Sequence, residues 1–579
     1  MSDSPEGRLA RLRLARHHTG AGEIVKASGP AIDRRLVALL AITAMAYLPC
    51  VGNGYVWDDI PLIVGNALFK EPFDPATAFF TDLWSSAAIG DEAPSGYFRP
   101  VMVASLWLDH VLSGGAAFAH LHSLCWHLLA VWAALRLGCR VVGEPVGWVG
   151  AIWFAIHPLQ TEAVYWVAAR NDLMAAALGL LALSFVCEEK PRRGWALLAA
   201  AGAMGSKESV VLLPVVAAGL LWWSPKALCT SLGDGLRRVV PLVAGVAILV
   251  GLRIWVDVGG ARGPSVAGSS LVLSSLPDLV GWVGWKLVVP WPLSIGHVLE
   301  YLDRQAVGQV VAGWAVLLMV GGGVVARGSR VSRIGLVWAV LFGMPVFWAL
   351  ASTGWMGERY LYLPILGVGW MGGGLTVRWG AKAARAWIGV GLIWAALVSL
   401  RAGDWASDDS LWSSAWETTP SPFTAEGLGH VRRGSSGPEE ATIWFVRALD
   451  DAKPLSTGCV PLMRSAVGTR KMVRAAHLGA WASARGCGGP EFDGWRAITL
   501  ASTGRWDLLA ALLERASPDR EGRLTVAHAA LLLHRQDESG LQALEASWMG
   551  SRPLRGQAEE LWSNSEKHEP VVLPLPTGG

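Results

Sequence analysis

His157-Pro158-Leu159-Gln160-Thr161-Glu162-Ala163-Val164-Tyr165-Trp166-Val167-Ala168-Ala169-Arg170-Asn171-Asp172 joins two apolar runs, and the reading of this stretch decides the fold. His157-Pro158 ends the first apolar run, and Arg170-Asn171-Asp172 lies at the start of the second. Beyond the far end of each run lies a basic cluster, Arg136 and Arg140 on one side and Lys190, Arg192 and Arg193 on the other. Lysine and arginine are retained on the cytoplasmic side of a membrane. The two runs therefore read as one crossing outward and one crossing back, with the acids and bases of the hairpin on the outer face. The expected class is an all-α polytopic membrane protein.

The same rule threads the rest of the chain. An arm over 1–35 carries Arg8, Arg11, Arg13, Arg16, Lys26, Arg34 and Arg35 ahead of the first apolar run, which reads as an uncleaved anchor. Further basic clusters lie at Lys226 with Arg237 and Arg238, at Arg327, Arg330 and Arg333, and at Arg378 with Arg385. If all face the cytoplasm, the number of crossings between successive clusters is even. At ~20 residues per span, that parity predicts eleven crossings: 36–52, 118–139, 146–160, 168–187, 193–206, 208–223, 238–256, 307–326, 333–351, 359–377 and 386–402. Two apolar stretches remain, 99–113 and 270–296, which must begin and end outside and read as re-entrant or interfacial helices. The expected organisation is a cytoplasmic arm over 1–35, a transmembrane catalytic domain over 36–402 with outer loops 53–117 and 257–306, and an outer helical domain over 403–579.

Composition agrees. Of 579 residues, 52% are hydrophobic and 16% charged, and the mean hydropathy is +0.38. That excludes a disordered chain, a collagen, a coiled coil and a disulfide-stapled mini-protein. A net charge of +3 leaves no electrostatic footprint for nucleic acid. The 32 tryptophans suit a protein with two bilayer interfaces to line. None of the seven cysteines forms a CxxC pair, so neither a zinc nor an iron–sulfur site is indicated. Cys459 and Cys487, the two in the polar tail, can pair if the tail lies outside the cytoplasm. Leu508, Leu509, Leu512 and Leu513 mark one face of a tail helix. Similar stretches near 440–450, 471–485, 524–534 and 540–549 suggest stacked helix pairs in a degenerate, tetratricopeptide-like repeat. Residues 570–579 read as a frayed end. Gly321-Gly322-Gly323 and Gly372-Gly373-Gly374 lie in membrane helices and are expected to let helices approach closely.

Ionisable groups in or beside membrane segments mark functional sites by default. On this threading they gather on the outer side: Asp58 and Asp59, Arg99, His157, Glu162, Arg170, Asp172, Lys207, Glu208, Glu358, Arg359 and Tyr360. Paired carboxylates just after a membrane helix can supply a general base; a solvated helix end capped by two acids is the alternative. Arg99, Arg170, Lys207 and Arg359 can hold a phosphate at headgroup level, or pair with Glu162, Asp172, Glu208 and Glu358. His157 and Glu162 are badly spaced for a metal. His120, His122 and His127 read as hydrogen-bonded packing. No metal or cofactor is expected.

Taken together the motifs resemble the TMTC-type membrane O-mannosyltransferases and, more broadly, the GT-C glycosyltransferases. The matching stretches are Val56-Trp57-Asp58-Asp59 with Asn66, Tyr97-Phe98-Arg99-Pro100, His120-Leu121-His122 through His127, His157-Pro158 through Asp172, Ser206-Lys207-Glu208, and Glu358-Arg359-Tyr360-Leu361-Tyr362-Leu363-Pro364. The lead into the tail, with Asp404, Trp405, Leu411 and Trp412, shares the likeness. The resemblance implies a GT-C-like bundle that transfers a hexose, typically mannose, from a polyprenyl phosphate to a protein Ser/Thr hydroxyl or an envelope glycan. Asp58 would be the base with Asp59 supporting it. Arg99, Arg170, Lys207 and Arg359 would face the donor phosphate. His157, Glu162, Asp172, Glu208, Glu358 and Tyr360 would bind or orient the sugar. The expected setting is a bacterial inner membrane, N-terminus cytoplasmic and tail periplasmic. Two readings without transferase chemistry remain: a membrane scaffold whose tail docks partners, and a lipid-linked sugar flippase or transporter, for which Asp109 and Lys286 are the candidate path residues.

Overall fold

The computed structural model describes residues 33–69, 75–84, 87, 96–226, 228–256, 266–298, 302–450, 458–519, 522–548 and 552–565. Most of the expected basic arm, parts of both expected outer loops and the expected frayed end lie outside the described residues. The protein is an all-α polytopic membrane protein. Its described strands are His297–Val298 and Trp355–Met356, which pair antiparallel.

Each of the eleven expected crossings is a helix, but they fall into two kinds. Among the described residues seven helices are long and apolar enough to cross a membrane: Arg34–Gly52, Ala116–Val141, Val167–Val186, Leu232–Val256, Val307–Ala326, Arg330–Ala351 and Ala381–Trp405. The other four are short, Glu144–Ile156, Arg193–Ser206, Leu213–Trp223 and Pro364–Thr376, the longest having 14 residues. Such a helix rises about 21 Å, less than the ~30 Å of a hydrocarbon core. The count of eleven full crossings is thus corrected to seven long helices with four short ones packed among them.

The sequence shows why the four stop. Glu144–Ile156 runs into His157-Pro158, Arg193–Ser206 ends at an extended Lys207, and Leu213–Trp223 and Pro364–Thr376 both begin with a proline in the first turn. The vacated length is filled by 3-10 turns, Pro158–Gln160, Glu208–Val210 and Glu358–Leu361. Side chains from these turns and their flanks pair with one another, Glu162 with Arg359 and Lys207 with Asp172, so all four helices stop at the same end of the bundle. The result is a recess lined with polar linkers.

Arginines from four of the basic clusters lie at the opposite end. Arg136, Arg140 and Arg192 converge on Glu188 at 2.6, 3.5 and 2.6 Å, Arg238 donates to the carbonyls of Val186 and Glu188, and Arg35 meets Glu144 at 2.8 Å. Both leftover apolar stretches are helical, Pro100–Leu112 and Val266–Lys286. Each touches the recess end twice. Arg99, at the start of the first, meets Glu208, and Asp109 near its end meets Arg170. In the second, Leu271 lies against Gly354, and Lys286 donates to the carbonyl of Pro292.

Close helix packing uses Gly372–374, where added β-carbons would press on Trp387, Val146 and Ser332. Gly321, Gly322 and Gly323 have no such neighbour within 4 Å, contrary to the expectation of close approach there.

Among the described residues the tail has ten helices, from Asp408–Thr418 to Leu554–Ser565. Each packs mainly on its nearest and next-nearest neighbours in sequence. Serine capping boxes at Ser407 and Ser421 start the first two. Cys459 and Cys487 are disulfide-bonded. The first two helices share the core of the membrane part, into which Leu411, Trp412 and Leu428 are packed. Gly54 donates to the Ala406 carbonyl at 3.0 Å, and Asn53 Nδ2 to that of Ala402 at 3.0 Å.

Candidate functional site

The recess gathers most of the residues singled out from the sequence. Glu162, on the one-turn helix Thr161–Tyr165, forms an ion pair with Arg359 and accepts the Glu358 backbone N–H at 2.7 Å. The guanidinium carbon of Arg359 lies 4.7, 5.1 and 4.8 Å from the ring centres of Trp166, Trp355 and Tyr360. A guanidinium is weakly hydrated and stacks on aromatic faces, so this cage holds the cation at little cost. Glu358 is buried and points away, accepting from Ser294 N–H at 3.0 Å and meeting His297 Nε2 at 3.2 Å.

Two further ion pairs stand beside the cage. Lys207 Nζ meets Asp172 at 2.6 Å and lies 5.6 Å from the centre of the Tyr360 ring. Arg99 meets Glu208 at 3.1 Å, its guanidinium 4.5 Å from the centre of the Tyr97 ring. Burial lowers the Lys207 ammonium from its ordinary value. The second oxygens of Asp172 and Glu208 are buried with no hydrogen-bond partner, and both are free to accept from a bound hydroxyl.

Asp172, Lys207, Arg359 and Tyr360 border one open cleft. Its other wall is apolar, with Phe342, Pro345 and Val346 from the long helix Arg330–Thr353. A cationic mouth on an apolar slot suits a ligand with an anionic head and a hydrocarbon chain.

The two acids of the first loop differ in environment. Asp59 is fully buried; one oxygen accepts Ala168 N–H at 2.7 Å and the other Val56 N–H at 3.2 Å, so it ties the first loop to the turn before Arg170. Burial pushes its carboxyl up to about 8. Asp58 is half-buried and its carboxylate takes no hydrogen bond among the described residues. Burial raises it to about 6, against the opposing pull of the Arg359 charge.

Two expected site residues are held elsewhere. Arg170 is fully buried: it pairs with Asp109 at 2.5 Å and donates to Ser105 Oγ at 3.0 Å, Ser123 Oγ at 3.0 Å and the Ala119 carbonyl at 2.8 Å. With its donors engaged it locks Pro100–Leu112 to Ala116–Val141 and does not border the cleft. His157 is also buried, both ring nitrogens within 3.3 Å of backbone partners at Leu287 and Leu159, and its ring lies against Trp153 and Trp394. Of the three histidines expected to be packing groups, His120 meets the Gly54 carbonyl at 3.2 Å and His127 meets Tyr362 Oη at 2.6 Å, whereas His122 Nδ1 joins the Arg170 cluster, 2.5 Å from Asp109 Oδ1. Asn66 caps its own turn through the Leu62 carbonyl and Leu68 N–H. Among the described residues no group of His, Cys, Asp and Glu side chains is arranged to hold a metal ion.

Sequence reasoning missed Asp109 as the partner of Arg170, the tryptophans around Arg359, and His297. An aspartate in an apolar stretch was the available signal for the first. Trp166 sits inside the quoted motif, but nothing local says that it faces Arg359, 193 positions away in sequence.

No family model matches the chain, and no solved structure matches it. Curated proteins do. The chain is 25% identical over 189 residues to protein O-mannosyl-transferase F38B6.6 of Caenorhabditis elegans, covering 31% of this chain and 27% of that protein. It is 30% identical over 227 residues to protein O-mannosyl-transferase Tmtc2 of Drosophila melanogaster, covering 36% and 23%. The match to protein O-mannosyl-transferase TMTC4 of Mus musculus is longer, 22% identical over 457 residues, or 66% and 61%. The chain therefore spans less than two thirds of the length of these relatives, and about a quarter of the first two. Through the stretches matched, it is similar to the TMTC-type protein O-mannosyl-transferases.

Proposed function

We propose that the protein is a membrane glycosyltransferase of the mannosyl type, which takes a hexose from a polyprenyl phosphate and transfers it to a Ser/Thr hydroxyl of a protein or to an envelope glycan. The observation that carries this is the cleft in which Lys207, Arg359, Asp172 and Tyr360 face an apolar wall, with Asp58 within the field of Arg359. The names of the relatives support the sugar and the protein acceptor. The basic clusters at the far end support a recess that opens outside the cytoplasm.

In this reading the polyprenyl chain lies along Phe342 and Val346 and its phosphate rests between Lys207 and Arg359, with Arg99 adding positive potential. The free oxygens of Asp172 and Glu208 accept from sugar hydroxyls. The acceptor oxygen attacks the anomeric carbon while Asp58 takes its proton. The bond from that carbon to the phosphate oxygen breaks, and the departing polyprenyl phosphate keeps the electron pair. Negative charge grows on that phosphate in the transition state, where fixed cations in a site poor in water act most strongly. Glu162 and Glu358 hold the Arg359 turn, and Asp59 holds the loop that carries Asp58.

The test is transfer by purified, reconstituted protein offered a panel of polyprenyl-phosphate sugars, with Asp58→Asn beside the wild type. Transfer from one donor by the wild type and loss in the variant is the expected result. If the well-folded wild type transfers no sugar, or if Asp58→Asn turns over normally, the reading is wrong and a scaffold role gains weight.

A further inference from the structure

We propose that Asp408, the first residue of the tail helix Asp408–Thr418, is a positioning residue for Asp58 and acts through the backbone of Trp57. The inference rests on the reading of Asp58 as the base.

Trp57 has φ +52, in the left-handed region that bulky side chains rarely adopt. Such a conformation persists only where the surroundings over-determine it, and it concentrates at functional sites. Here the surroundings come from both halves of the chain. Asp408 Oδ1 accepts the Trp57 N–H at 2.6 Å, a charge-assisted bond spanning 351 positions of sequence. The Trp57 ring stacks on Trp166 at 4.6 Å and 4°, and meets the edges of Trp412 at 5.4 Å and Phe423 at 5.8 Å. Trp412 and Phe423 belong to the first two tail helices. Asp408 is itself fixed, because Ser407 closes a capping box with Ser410 immediately around it.

Asp58 thus sits between two anchored neighbours. Trp57 is held by the tail, and Asp59 is held by Ala168 of the membrane part. With no bond to its own carboxylate, the direction of Asp58 is set by these two. Asp408 and Trp412 of the first tail helix therefore help to hold the loop that carries Asp58.

The test uses the full-length reconstituted chain and compares Asp408→Ala, Asp408→Asn and Asp409→Ala. The asparagine keeps an acceptor oxygen at the same place. Asp409, next in sequence, pairs with Arg432 at 2.9 Å within the tail and serves as the control. Misplacing a catalytic group by about 1 Å costs on the order of a hundredfold. Asp408→Ala is expected to lower kcat ~30- to 100-fold with donor KM within about twofold of wild type, whereas Asp408→Asn and Asp409→Ala stay within about threefold. A kcat within about twofold of wild type in Asp408→Ala overturns the proposal. So does loss of donor affinity together with kcat, or failure of Asp408→Asn to rescue, since either is what a merely structural role predicts. If Asp408→Ala does not fold, Asp408→Glu decides: it keeps the charge, displaces the acceptor, and refutes the proposal if kcat is unchanged. A wild type that transfers nothing sinks the functional reading itself, which the Asp408 variants cannot do.

Discussion

Replacing Asp58 by asparagine is expected to abolish turnover and to stabilise the fold. Burial raises the Asp58 carboxyl from 3.8 to about 6. Between those values the folded chain still holds a proton that the unfolded chain has released, so stability falls as pH rises through the window and the loss is complete above it. A shift of about two units at 1.36 kcal/mol each is ~3 kcal/mol. Asparagine has nearly the same volume and no charge to bury, so Asp58→Asn should gain up to ~3 kcal/mol at pH 7 and almost nothing below pH 4. The same ionisation gates the chemistry. A base with a value of about 6 in the free protein is ~9% ionised at pH 5 and ~91% at pH 7, so kcat/KM rises about tenfold, whereas an ordinary carboxylate would leave it flat. The assay pairs denaturant unfolding of wild type and variant in identical nanodiscs at pH 4 and pH 7 with kcat/KM across that range. A variant less stable than wild type at pH 7 would mean that the carboxylate makes a stabilising contact. A flat kcat/KM from pH 5 to pH 7 would remove it as the base.

Arg359→Met removes the charge that opposes the upward shift of Asp58, so the acid limb of kcat/KM should move to higher pH; a limb that stays in place contradicts the coupling. Lys207→Met should raise the donor KM about tenfold or more while a water-soluble acceptor's KM holds, and equal changes in both would argue against a phosphate contact. Arg170→Met leaves buried Asp109 with His122 alone, a loss of up to ~3–5 kcal/mol that should appear as reduced accumulation, whereas the double change Arg170→Met with Asp109→Leu should recover much of it. Cys459→Ser opens a loop closed over a separation of 28 residues and should cost the tail ~3 kcal/mol; an unchanged melting transition in non-reducing buffer would mean that the bond adds nothing.

The number of helices was legible because membrane threading leaves coarse, redundant marks: long apolar runs and basic clusters between them. All eleven expected helices form, and Arg136, Arg140, Arg192 and Arg238 do gather at one end. Helix length was less legible. A run such as 146–160 is apolar beyond the point where Pro158 ends its helix, and hydropathy does not register a lost backbone hydrogen bond. The recess depends on that difference, since four helices that reached full length would fill it. Gly321-Gly322-Gly323 and Gly372-Gly373-Gly374 make the same point about packing. Their sequences are alike, yet only the second meets a neighbour, because which face of a helix is covered depends on partners far along the chain.

The site divides differently. Sidedness placed the charged groups on one face, but charge alone does not pair them: three cations and three acids can be matched in several ways that are equally neutral. The pairs that form join residues 35, 109 and 197 apart, Lys207 with Asp172, Arg99 with Glu208, and Arg359 with Glu162. Arg170 leaves the set for Asp109, Glu358 turns to Ser294 and His297, and Asp59 takes two backbone donors. Each of those acids has its charge answered by a cation or a hydrogen bond. Asp58 has no direct partner among the described residues, only the more distant charge of Arg359, and its two neighbours are each held by a hydrogen bond from another part of the chain. The resemblance already points to Asp58 as the base; what the sequence could not show is that its carboxylate takes no hydrogen bond among the described residues while Trp57 and Asp59 beside it are tied down, which is the setting that a general base needs.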